Sequence, residues 1–132
     1  MAIAYLDSSA LVKLMVREDE TAALEADLLD RDGLVTSSLA MVECRRAAAR
    51  AGNRRVLQRV SDVLDAVYLL DLTSPVLEQA ASLRPAPVRS LDAIHIATAL
   101  SIGEADLDLI TYDDRMAEAA RANGLRVSQP GI

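Results

Sequence analysis

Asp7, Glu43, Asp92 and Asp113 lie far apart in the chain, each at or near the boundary of a predicted element. Hard divalent cations are held by carboxylates, and folding can bring distant carboxylates into one pocket. Crowded without a cation, like charges raise one another's pKa; a Mg2+ or Mn2+ ion reverses that balance. If the four converge, the chemistry is hydrolysis of a phosphodiester, with the ion activating water and offsetting charge in the transition state. Asp7 and Asp92 are the expected direct ligands. Glu43 and Asp113 would complete the set, hold a second ion or position a water. Ser9 and Thr111 stand close to Asp7 and Asp113, where a hydroxyl could orient a carboxylate or a water.

Most of these residues also have an ordinary structural account. Asp7 and Asp113 each precede a predicted helix, where an Asp N-cap contributes about 1 kcal/mol. Asp92 sits in a first turn, favoured by the helix dipole. Ser9 and Thr111 suit caps and turns. Glu43 has no such account. Leu39 and Ala47, four residues away on either side, are apolar and point it towards the buried side of its helix. Burying an unpaired carboxylate costs several kcal/mol or forces it neutral. A metal or a basic partner removes that cost; otherwise Glu43 turns to the edge and pairs with Arg46 or Arg50.

Other chemistries find less support. His95, the only histidine, follows Asp92 by three residues and reads more simply as a partly buried, hydrogen-bonded side chain. Cys44, the only cysteine, has no histidine beside it to activate a nucleophile, and one Cys with one His does not make a zinc site. Neither GxGxxG nor GxxxxGK[ST] occurs, so dinucleotide and P-loop sites are not indicated.

The elements that would position the acids alternate between short apolar runs and helices. Residues 3–6 read as a strand, followed by a helix from the Asp7-Ser8-Ser9 cap to about Val16. A second helix spans about 20–30 and Gly33 stops it. Residues 34–36 form a strand. Ser37 and Ser38 then offer caps for a helix over 39–51, ended by Gly52-Asn53. A further helix covers about 55–66 and a strand 68–72. Ser74-Pro75 opens a helix to about Leu83, and Arg84-Pro85-Ala86-Pro87 breaks the chain. Ser90 caps a helix over 91–102, ended by Gly103. Residues 109–111 form a strand, Asp113 begins a helix to about Ala122, and 125–127 form an edge strand. This alternation predicts an α/β fold, a central parallel sheet of four or five short strands with helices on both faces. Ligands of such sheets bind beyond the carboxyl ends of the strands, where Asp7 and Asp113 fall.

The 132 residues suit one domain, 1–132, with a core that is aliphatic because Phe and Trp are absent and Tyr5, Tyr68 and Tyr112 are the only aromatics. The apolar runs are far shorter than the ~20 residues of a membrane span, and the N-terminus lacks a basic region ahead of an apolar one. With a single cysteine, these features lead us to expect a cytoplasmic protein without membrane association. The net charge of −6 argues against general nucleic-acid binding. Yet six of the fourteen basic residues fall between Arg45 and Arg59, where Asp and Glu are absent. That run is either a solvated helix face or a local contact for a polyanion.

The runs Leu6-Asp7-Ser8-Ser9-Ala10-Leu11-Val12-Lys13-Leu14, Ser90-Leu91-Asp92-Ala93-Ile94-His95-Ile96-Ala97-Thr98-Ala99 and Ile110-Thr111-Tyr112-Asp113, with a helical Glu43 between the first two, resemble the PIN domain. The similarity is strongest to VapC-type toxins of toxin–antitoxin pairs. The resemblance implies a three-layer PIN-like fold and a Mg2+- or Mn2+-dependent endoribonuclease, with Asp7, Glu43, Asp92 and Asp113 as its acidic quartet and Ser9 and Thr111 as supporting residues. It implies a VapB-type antitoxin that inserts a segment into the active-site groove, and a homodimer, assembled with antitoxin as a heterotetramer or larger. Arg45, Arg46 and Arg50 are then candidates for contact with RNA or antitoxin. Two alternatives stay open. One is a PIN-like module that binds protein or RNA without catalysis. The other is a receiver-type phosphoacceptor, disfavoured because serines follow Asp7 and Lys13 is the only lysine.

Overall fold

The computed structural model describes residues 2–132. Five parallel strands form one sheet: β1 (Ile3–Leu6), β2 (Leu34–Ser37), β3 (Tyr68–Leu70), β4 (Leu107–Ile110) and β5 (Arg126–Ser128), in the order β3-β2-β1-β4-β5. The helices are α1 (Ser8–Met15), α2 (Thr21–Leu29), α3 (Leu39–Ala51), α4 (Arg54–Asp65), α5 (Ser74–Ala81), α6 (Ser90–Ser101) and α7 (Asp114–Ala122). The three-layer α/β arrangement expected from the alternation is the one observed.

Two apolar clusters lie on opposite faces of the sheet, as the two-residue alternation of a strand requires. Ala4 and Leu6 of β1 join Leu11, Leu24, Cys44 and Val60 of α1 to α4. Tyr5, between them, faces Ile96, Met116 and Ala120 of α6 and α7. Helix α4 shows the patterning most plainly: Val56, Val60, Val63 and Leu64 are buried at helical spacing, while Arg54, Arg55 and Arg59 are exposed. Helix α3 ends at Gly52, whose φ of 64° is the left-handed conformation that glycine adopts without strain.

Several boundaries differ from the sequence reading, for one reason: the neighbouring strand sets where a strand stops. β3 ends at Leu70 rather than Leu72 because its partner β2 ends at Ser37, opposite Leu70. β4 spans 107–110 rather than 109–111 because β1, from Ile3 to Leu6, pairs with those four residues. The remaining elements agree within about two residues. Two caps are corrected. Ser90 is the first residue of α6 rather than its cap; Arg89 occupies the cap position and its side chain makes no capping bond. Ser38 caps α3 by position only, while the Ser37 hydroxyl accepts from the Leu39 amide at 3.1 Å.

The strand order has one consequence for function. The chain runs β1, β2, β3 outward on one side and then returns to place β4 on the other side of β1. The crevice of such a sheet opens where this direction reverses, beyond the carboxyl ends of β1 and β4. Asp7 follows β1 directly, and Thr111 follows β4 directly.

Candidate active site

Asp7 is the enclosed member of the quartet, 5% exposed. It is the N-cap of α1, as expected: Oδ1 accepts from the Ala10 amide at 3.1 Å. The Ser9 hydroxyl donates to Oδ1 at 2.6 Å and the Thr111 hydroxyl to Oδ2 at 2.5 Å. Both small polar residues singled out in the sequence therefore touch this carboxylate. Burial pushes the Asp7 pKa up, and the hydroxyl and amide donors only partly offset it.

Thr111 also links the strands' ends, because its Oγ1 accepts from the Asp113 amide at 3.1 Å. Asp113 is the N-cap of α7, with Oδ1 accepting from the amides of Arg115 and Met116. Its other oxygen, Oδ2, accepts from Arg89 Nη2 at 2.6 Å, and the same nitrogen lies 2.9 Å from Asp92 Oδ2. Asp92, in the first turn of α6, also accepts from Arg89 Nε at 2.9 Å. One guanidinium thus spans two acids from different elements. Partial burial pushes Asp113 up, but Arg89 and the two amides more than offset it, and its pKa lies below the ordinary value.

Glu43, in the second turn of α3, does not pair with Arg46 or Arg50. Its Oε1 lies 2.7 Å from His95 Nε2, and His95 Nδ1 lies 2.7 Å from the Tyr5 hydroxyl. The basic partner that a half-buried carboxylate needs is a histidine one helix away. Cys44 next to it is fully buried, and burial first, then the charges of Glu43 and Asp7, push its thiol up to about 12. It cannot serve as a thiolate nucleophile near neutral pH.

The donor chemistry suits a hard divalent cation: the quartet and its supporting hydroxyls offer oxygen only, and none of the hydrogen-bond partners of buried Asp7 carries charge. As they stand, Asp92 and Asp113 are turned onto Arg89 and Glu43 onto His95. Among the described residues no three His, Cys, Asp or Glu side chains converge as a ready cation site. Asp7, Asp92 and Asp113 are linked through Thr111 and Arg89, while Glu43 is bonded separately to His95.

A crevice of about 630 Å³ opens at this end of the sheet, lined by Ser9, Lys13, Glu43, Arg46 and Arg50 among others. Of the three arginines proposed from sequence, Arg46 and Arg50 line it; Arg45, also exposed, does not. A groove of about 520 Å³ between α5 and α6 has no carboxylate in its walls. Among the described residues no helix is long and apolar enough to cross a membrane.

Two participants escaped the sequence reading. Arg89 precedes Asp92 by three residues, a spacing that hints at their pair but gives no sign of Asp113. Tyr5 read only as a core residue. Its hydroxyl, facing His95 inside the core, is a tertiary contact with no local signature.

The PIN domain family profile matches residues 4–122. Ribonuclease VapC46 of Mycobacterium tuberculosis is 44% identical over 136 residues, which span 98% of this chain and 99% of that protein. Among solved structures, a toxin–antitoxin complex from Klebsiella pneumoniae contains a chain of the same fold, with a TM-score of 0.74 at 21% identity over 96% of this chain and 97% of that one. VapC20 of Mycobacterium tuberculosis, described as a Sarcin-Ricin loop cleaving toxin, superposes with a TM-score of 0.73 at 17% identity over 96% of this chain and 99% of its own.

Proposed function

The chain belongs to the PIN-domain family, and we propose that it is a metal-dependent endoribonuclease of the VapC type, a growth-inhibiting toxin neutralised by a VapB-type antitoxin. The observation that carries this reading is the junction of Asp7, Thr111 and Asp113 beyond the ends of β1 and β4, with Arg89 drawing Asp92 against Asp113. The 44% identity to a ribonuclease over nearly the full length supports the same activity. Chains of this fold in toxin–antitoxin complexes support the partner.

In this reading Asp7, Asp92, Asp113 and Glu43 would hold Mg2+ or Mn2+. When bound, the ion would offset the negative charge that develops on the phosphodiester and make water a better nucleophile. The chain's own groups do the rest. Ser9 and Thr111 keep Asp7 in one rotamer by donating to each of its oxygens. Arg89 neutralises Asp92 and Asp113, the two acids beside it that would help to hold the ion. Arg46 and Arg50, on the crevice wall, meet RNA phosphates or an acidic antitoxin segment. A homodimer, enlarged by antitoxin to a heterotetramer or more, completes the assembly.

Cleavage of RNA with Mg2+ or Mn2+ is the test. Activity should vanish with EDTA and in Asp7→Ala and Asp92→Ala, and Arg46→Ala with Arg50→Ala should weaken RNA binding. Cleavage that survives chelation or both Asp substitutions contradicts the proposal. Co-purification with a small partner encoded beside this chain tests the antitoxin.

A second reading, a PIN-like module that binds without catalysis, is favoured by one observation: Arg89 and His95 already partner three of the four acids. A folded protein that binds RNA or a partner but neither binds Mn2+ nor cleaves would establish it.

A further inference from the structure

His95 is 2% exposed and joins three elements: Tyr5 of β1, Glu43 of α3 and its own α6. Its ring stands edge-on to that of Tyr5, at 77° with centroids 5.8 Å apart. The role of Nε2 towards the Glu43 carboxylate follows by elimination. Burial keeps the Tyr5 phenol protonated. A neutral histidine carries one N–H. If that hydrogen were on Nδ1, the Nε2 lone pair would face the Glu43 carboxylate 2.7 Å away, an arrangement of two acceptors with no proton between them. So Nε2 carries the hydrogen, Nδ1 accepts from Tyr5, and the pair holds. In a charged imidazolium both nitrogens carry hydrogens, and Nε2 still donates to Glu43. The contact is the same in either charge state.

We propose that His95, oriented by Tyr5, is the positioning residue for Glu43: its Nε2–H holds Oε1 and thereby sets the direction in which the other carboxylate oxygen meets the cation. The proposal rests on the reading of Glu43 as part of the metal site. Partners that hydrogen-bond a ligating group fix its orientation, and their loss typically lowers metal affinity 10- to 100-fold. Asp7 is held by two hydroxyls and Asp113 by two amides. Among the described residues, His95 is the hydrogen-bond partner seen for the Glu43 carboxylate.

Two isosteres separate positioning from packing. In His95→Gln the side-chain amide reaches the place of Nε2 and can still donate to Glu43, but its contact with Tyr5 is lost. In His95→Asn the shorter amide stands in for Nδ1, keeping Tyr5 and losing Glu43. The readouts are Mn2+ affinity by titration calorimetry without RNA, and the thermal midpoint in EDTA. We expect His95→Gln to bind Mn2+ close to the parent and His95→Asn to bind at least about tenfold more weakly, whichever of the two is the more stable. Equal affinities or the reverse order would overturn the positioning role. A parent protein that binds no Mn2+ at all would instead remove the metal-site reading beneath it, and the two failures are told apart by that control.

Discussion

A carboxylate as enclosed as Asp7 is a poor choice for stability alone. Three donors reach it, yet desolvation still holds its pKa above the ordinary value. The linkage follows from that sign. A raised pKa means that the native state binds a proton more readily than the unfolded chain, so stability falls as pH rises from the unfolded value of about 4 through the folded one. Above both values the ionised Asp7 is carried at a cost. Asp7→Asn is therefore expected to raise the metal-free thermal midpoint near neutral pH while abolishing RNA cleavage. The gain should shrink as pH is lowered towards about 4. Melting curves in EDTA across this range check it; a midpoint below the parent's at neutral pH contradicts it. A bound cation would invert the balance, since it favours the ionised form. At this scale the sequence was informative: residue type and position alone marked Asp7, Ser9, Thr111 and Asp113, and the first three touch one another.

Helix starts serve two ends in this fold. Asp113 caps α7 through Oδ1 and presents Oδ2 to Arg89, so capping and the candidate site use different oxygens of one side chain. Substitutions can divide these roles. Asp113→Ala should lose the cap, about 1 kcal/mol, as well as cleavage. Asp113→Ser keeps a capping oxygen and should hold most of the stability while cleavage is still lost. Denaturant unfolding beside the RNA assay reads both, and a Ser variant that cleaves like the parent would show that only the cap matters. Elements with internal punctuation were legible in the chain. Helix α3 matched from Leu39 to Ala51 because Gly52 stops it, and α4 declared itself through its valines. Strand ends were not, since β3 and β4 stop where their partners do. Nor was the start of α6, where Arg89 leaves the cap unmade and reaches across to Asp113.

Across the whole molecule, the alternation of strands and helices announced a parallel sheet, but no local pattern gives the order β3-β2-β1-β4-β5. That order puts the ends of β1 and β4 beside each other, and it is why residues more than a hundred positions apart, Asp7 and Thr111, share a hydrogen bond. Two arginines of the run from Arg45 to Arg59 line the crevice, so a protein of net charge −6 presents basic side chains there. The contacts that the chain alone did not announce, Arg89 with two acids and His95 between Tyr5 and Glu43, are both tertiary pairings of charge or hydrogen-bond donors. They give Asp92, Asp113 and Glu43 their partners without an ion. If these acids hold a divalent cation, it would take the place of Arg89 there, and a crystal of the protein grown with Mn2+ is the direct check. The expected result is an anomalous peak within about 2.0–2.5 Å of carboxylate oxygens of Asp7 and of Asp92 or Asp113, with the Arg89 guanidinium displaced from both. Arg89 still bridging Asp92 and Asp113 at saturating Mn2+, with no peak beside Asp7, would contradict it.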